Sequence, residues 1–203
     1  MYVTFGEQLA TGLVRLIRTA KNKWEMRMKY MFVALLSLMF ASTAFADGSV
    51  VRWETVVGVI TAQNVDNPVA DIHSGTFAWT TTGGQAAVNL KSGATMFDVE
   101  GLVINGTQFS GTPGPITQVI GTLVCNPGET NNGASTEKVF DTAPVSLNEQ
   151  GNAGFSGSIG PITTPCNNPL FLVRIAQPAG AFGLWIGTGA VRSFTDHFFT
   201  DED

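Results

Sequence analysis

Histidine and cysteine are scarce in this chain, two of each among 203 residues, and basic side chains are outnumbered, 11 Lys and Arg against 16 Asp and Glu. Zinc and copper sites need three or four ligands, so with only His73 and His197 to draw on, a histidine-rich metal centre is excluded. No Gly-x-Ser-x-Gly nucleophile elbow occurs. Gly187-Thr188-Gly189 begins like a dinucleotide loop, but Arg192 stands where a third glycine belongs and no βαβ unit surrounds it. No long segment carries the 3.6-residue apolar period of an amphipathic helix, which excludes a helical domain.

What is present begins with a leader. Met28-Lys29-Tyr30 is followed by a continuous apolar run from Met31 to Phe40, closing on Ala44-Phe45-Ala46, a small-x-small cleavage signature. From Met31 to Ala46 is 16 residues, short of the roughly 20 a membrane-spanning helix needs. The expectation is a signal peptide over 28–46, cleaved after Ala46, with no membrane span thereafter and a secreted product, extracellular or periplasmic. Residues 1–27 are then either an upstream stretch that precedes the true start at Met26 or Met28, or a long basic extension carrying Arg15, Arg18, Lys21 and Lys23.

The remaining 157 residues suit one domain. They hold five basic and fourteen acidic side chains, a formal charge of −9. Arg52, Lys91, Lys138, Arg174 and Arg192 are scattered, and phosphate recognition needs clusters, so nucleic acid is not an expected partner. An exported chain with two cysteines permits one disulfide, Cys125 to Cys166. Each cysteine follows a copy of one tetrapeptide, Gly114-Pro115-Ile116-Thr117 and Gly160-Pro161-Ile162-Thr163. Each proline can fix φ as the chain leaves a glycine-rich loop, and each isoleucine can enter the core; the disulfide is then expected to staple two halves of the fold.

Short apolar runs punctuated by Gly, Asn and Pro predict an all-β domain over 47–193. The expected architecture is an antiparallel β-sandwich of Ig-like or Greek-key type with eight or nine strands, followed by an acidic tail over 194–203. Val50–Thr61 reads as the first strand, with Val51, Trp53, Val57 and Val59 inward. Gly75–Thr81 and Gln85–Lys91 read as a hairpin across Thr82-Gly83-Gly84, and Lys91-Ser92-Gly93 turns into Thr95–Ile104. There the apolar phase switches after Gly101, which predicts a bulge. Asn126–Ser135 reads as loop, and Pro144 breaks the Glu137–Leu147 edge segment.

Few residues offer chemistry. Asp71 and His73 would share one side of a strand and form the start of a metal site, the weak candidate ligands here; Asp196 adjoins His197. Asp98 and Glu100 also share a face, either as a carboxylate pair or as the wet side of a strand. Trp53, Trp79 and Trp185 either stack on sugars or pack the core. Asn105-Gly106-Thr107 is a glycosylation sequon.

The order of features resembles the CHRD domain, a β-sandwich module of chordin and of secreted bacterial proteins. The resemblance is carried by Ile60-Thr61-Ala62-Gln63-Asn64 through Pro68 to Ser74-Gly75-Thr76, by Gly101-Leu102-Val103 on to Gly114-Pro115-Ile116, and by Leu172 to Gly180. Where that family has Ala-His-Ile-His, this chain reads Asn105 to Phe109 with no histidine, so the resemblance implies a fold and carries no histidine-dependent activity across.

These readings predict a secreted, non-catalytic β-sandwich without cofactor, acting in binding, adhesion or envelope and matrix structure, with a protein or glycan as partner. Two other classes remain open: an extracytoplasmic metal-dependent or redox enzyme built on His73 and nearby carboxylates, and a carbohydrate-binding module.

Overall fold

A computed structural model describes residues 49–60, 62, 65–176 and 182–195. The expected leader over 1–46, Thr61, Gln63 and Asn64 of the CHRD-like opening, Gln177 to Gly180, and Asp196 and His197 lie outside the described residues.

The described chain is all-β and antiparallel. Thirteen strands form, eight of them of four residues or more. Nine belong to one continuous sheet in the order β10-β6-β12-β13-β1-β3-β4-β11, with β9 also on β6. In chain order these are β1 (Val50–Gly58), β3 (Gly83–Asn89), β4 (Ala94–Glu100), β6 (Gln118–Cys125), β9 (Lys138–Asp141), β10 (Val145–Ser146), β11 (Ala153–Ser158), β12 (Leu170–Ala176) and β13 (Phe182–Thr195). Two small ribbons stand apart, β2 (Ala78–Thr80) with β5 (Val103–Asn105), and β7 (Thr130–Asn131) with β8 (Ala134–Ser135).

The layers of the fold are therefore two parts of one curled sheet. Aromatic rings fill its hollow side: Trp53 and Phe97 each lie 5.5 Å from Phe171, and Phe97 lies 6.0 Å from Phe155. This run joins β1, β12, β4 and β11, strands from both halves of the sheet. Two glycines make room for it. A Cβ on Gly121 would sit 2.8 Å from both the Phe97 and Phe171 rings, and one on Gly189 would sit 2.5 Å from Trp53.

Several local expectations are corrected. Val57 faces out, 38% exposed, while Val56 is buried, because β1 changes phase between Trp53 and Val56. At that point β1 parts from β3, whose register ends at Trp53↔Ala86. Gly58 instead lies against the backbone of Trp79, whose N–H donates to Val59 O. Gly75–Thr81 and Gln85–Lys91 do not form a hairpin: β2 pairs with β5, and β3 pairs with β4 and β1. Gly101, at φ 62°, follows the end of β4 rather than bulging within it, so Leu102 is buried in the connection and Ile104 in a separate strand, β5. Asn126–Ser135, expected as loop, contains the β7–β8 ribbon, turned by Asn132 and Gly133 at positive φ. The last strand runs to Thr195, two residues into the expected tail.

The broken edge segment does form. β9 and β10 flank Pro144 and pair with successive stretches of β6.

Candidate functional site

The disulfide Cys125–Cys166 is present, its cysteines 41 positions apart in the chain. It does not join two halves of the fold. Cys125 closes β6 and Cys166 sits in the loop leading to β12, and those two strands are hydrogen-bonded neighbours, Leu170 opposite Val124. The two Gly-Pro-Ile-Thr copies serve the entrances to this region. Gly114 and Gly160 are both left-handed, Ile162 is buried, and Ile116 packs partly against the core.

Each cysteine is followed by asparagine, and the bridge sets these side by side. Asn126 N–H donates to Asn167 O at 2.9 Å, and Asn167 N–H donates to Asn126 Oδ1 at 2.7 Å. The Asn126 amide, buried and at φ 55°, also donates through Nδ2 to Thr136 O at 3.1 Å and Pro165 O at 3.0 Å. One side chain thus ties together the end of β6, the β8–β9 connection and the cysteine loop. Buried amides are costly unless their groups are paired, so this arrangement fixes local geometry.

Above that floor lies an open cleft of about 560 Å³ lined by Glu129, Thr130, Asn131, Lys138, Thr164 and Asn167, among others. Asn168 Nδ2 donates to Glu129 Oε1 at 3.0 Å, bracing one wall. The lining side chains are hydroxyls, amides, one carboxylate and one ammonium beside the ring of Pro165, with no aromatic side chain.

The residues expected to carry chemistry fall elsewhere. His73 meets Asp66, not Asp71: Nδ1 lies 2.5 Å from Asp66 Oδ2. Asp71 and His73 are not on a strand; both are exposed, on a loop pinned by the Val69↔Ile72 bridge. Asp66 Oδ1 accepts from Ser74 N–H at 3.0 Å. The His73 hydrogen bond, with Ser74 in support, holds the Asp66 carboxyl below its ordinary 3.8. An ionised carboxylate only accepts, so His73 carries its proton on Nδ1 in this pair. The nearby Ser74 hydroxyl is buried and donates to Gly75 O, so it is not aligned as a nucleophile on His73. Among the described residues no group of three or more His, Cys, Asp and Glu gathers as a metal site.

Asp98 and Glu100 do share the outer face of β4, Asp98 half-buried and opposite Gln85. Burial raises the Asp98 carboxyl, a hydrogen bond with Gln85 lowers it, and Glu100 raises it again. Trp53, Trp79 and Trp185 are all core residues, 1%, 3% and 7% exposed. Asn105 of the sequon is exposed at the end of β5.

Sequence reasoning missed the cleft because its walls stand about 41 positions apart in the chain and meet only through the bridge, the β6–β12 pairing and the asparagine hydrogen bonds. The signal was the asparagine after each cysteine. Asp66 was missed because it meets His73 across an irregular loop, where no periodicity operates.

Compared with known proteins, the chain matches no family model, no curated protein and no solved structure.

Proposed function

We propose that this is a secreted, non-catalytic binding protein of the extracytoplasmic space, with a divergent CHRD-like fold, whose polar cleft beside the disulfide holds a hydroxyl-rich chain such as a glycan. The observation that carries this reading is the cleft itself: amides and hydroxyls line about 560 Å³ over a floor cross-linked by Cys125–Cys166 and Asn126. A rigid set of paired donors and acceptors recognises a neutral polar ligand without ordering loose side chains on binding. Aromatic stacking on Trp53, Trp79 or Trp185 is not available to such a ligand, since those rings are buried. Export is supported by the leader signature and by the bridge, which persists in oxidising compartments. Adhesion or matrix attachment is the role that glycan binding would serve.

The test is a glycan panel probed with the purified protein, before and after reduction. Binding is expected to one glycan class, to fall at least tenfold in Asn131→Ala with Lys138→Ala, and to weaken on reduction as the cleft floor loosens. Binding that ignores both changes, or no binding on the panel, would sink the proposal. If instead the protein carries a stoichiometric transition metal that His73→Ala removes, the enzyme reading built on Asp66 and His73 takes its place.

A further inference from the structure

A second, chemically opposite hollow lies beneath the first Gly-Pro-Ile-Thr copy. Its volume is about 170 Å³, and its walls include Phe77, Trp79, Ile104, Ile116, Ile175 and Leu184, with Pro115 and Phe109 at its side. Phe109 is 40% exposed and Pro115 exposed, whereas Trp79 and Ile104 belong to the core, so the hollow runs from surface to interior. It shares no lining residue with the polar cleft.

The chain builds this hollow from parts that the sheet leaves over. The β2–β5 ribbon supplies Trp79 and Ile104, which stand opposite one another in its register. The ends of β12 and β13 supply Ile175 and Leu184. Gly114, left-handed at φ 60°, turns the chain so that Pro115 and Ile116 come over the space; a Cβ on Gly114 would lie 3.1 Å from Ile104 Cδ1.

Two polar groups interrupt the apolar lining, the hydroxyl of exposed Thr76 at the rim and an indole nitrogen deeper in. The indole N–H of Trp185 donates to Asn67 O at 2.8 Å, but that of Trp79, on a residue only 3% exposed, has no acceptor among the described residues. Gly75, another wall of the hollow, stands beside that nitrogen: a Cβ on it would lie 3.3 Å from Trp79 Nε1. That nitrogen is not sealed from solvent; a guest that covers it without accepting its hydrogen bond leaves a donor unpaired, which costs free energy. A space of this order, roughly 150 Å³, is enough for a benzene-sized guest.

We infer that this hollow is a binding site for a small lipophilic molecule carrying one hydrogen-bond acceptor, a carbonyl or ester oxygen on a phenyl-sized or short alkyl body, with Trp79 Nε1–H donating to that oxygen. The apolar walls take the body, which supplies the drive by leaving water. The indole supplies selectivity, because a hydrocarbon of the same shape leaves the donor unpaired.

The experiment uses the full chain, uniformly labelled with ¹⁵N, titrated with acetophenone and separately with ethylbenzene, a near-isostere without the oxygen. Tryptophan indole resonances are followed, and Trp79→Phe identifies the one from Trp79. Acetophenone is expected to shift the Trp79 indole resonance saturably and to bind roughly threefold to tenfold more tightly than ethylbenzene, the discrimination one neutral hydrogen bond provides. Trp79→Phe is expected to bring the two probes to equal affinity, and Ile116→Phe, which fills the space, to abolish both. If neither probe saturates, or both bind the unaltered protein equally, the inference is overturned. The wild-type comparison decides this even if Trp79→Phe fails to fold.

Discussion

Gly189 on β13 lies under the indole of Trp53 on β1, so close that a Cβ at 189 would stand 2.5 Å from Cγ and 2.6 Å from Cδ1 of the ring. Trp53 is buried and packs on Phe171, which in turn packs on Phe97, so the ring cannot retreat on that side. Gly189→Ala is therefore expected to destabilise the fold by about 1–3 kcal/mol, the ordinary cost of overpacking a filled core. Urea unfolding would show it as a lower midpoint at unchanged slope. A midpoint within error of the parent would mean the aromatic run is looser than its spacing implies.

Arg174 is the buried charge of β12, 8% exposed. Its Nη1 lies 3.3 Å from Asp141 Oδ1, and its Nε donates to Gly183 O at 3.0 Å. The same Asp141 oxygen accepts from Thr122 Oγ1 at 2.6 Å. Burial pulls the Arg174 guanidinium below its ordinary value, and Asp141 pushes it back up. Removing only the carboxylate leaves a desolvated cation, so Asp141→Leu is expected to cost about 3 kcal/mol, the low end for such losses because Asp141 keeps some solvent contact. Asp141→Leu combined with Arg174→Met should recover most of that loss, since an apolar pair fills the space without a charge. A double variant as unstable as the single one would refute this account of the pair.

Two carboxyls should give the stability curve opposite slopes. Asp66 is held below 3.8, so it binds fewer protons folded than unfolded; its contribution is full above 3.8 and is lost as pH falls through its lower folded value. Asp98 is raised above 3.8, so its ionised form is penalised in the fold; stability is full below 3.8 and declines as pH rises through its higher folded value. Asp66→Asn should flatten the acid side of a plot of urea midpoint against pH. Asp98→Asn should leave the most acid points alone and raise the midpoint near neutrality. The reverse assignment of these two effects would contradict both placements.

Secondary structure was legible where one strand faced one core. The alternation of Phe97 and Val99 against Asp98 and Glu100 placed β4, and the apolar run before Cys125 placed β6. Pro144 separated β9 from β10 because proline cannot donate to a ladder. The supposed hairpin failed for a different reason. Thr82-Gly83-Gly84 has turn chemistry, but β2 finds its partner in β5, and Gly83 and Gly84 already belong to β3. Turn propensity reports what a few residues tolerate, whereas pairing depends on which distant strand covers the apolar face.

By itself, then, the sequence determined the all-β class, the single possible disulfide and the positions of most long strands, because these follow from side-chain period, proline and glycine chemistry and the count of cysteines. Only the tertiary structure decided that both layers come from one sheet and that the bridge joins neighbouring strands. It likewise decided that Asp66 rather than Asp71 meets His73, and that Asn126 and Asn167 lie side by side beneath a polar cleft. Each of these is a contact between residues remote in the chain or set on an irregular loop. Such contacts are chosen by how the whole core closes around Trp53, Phe97 and Phe171, which no local pattern encodes.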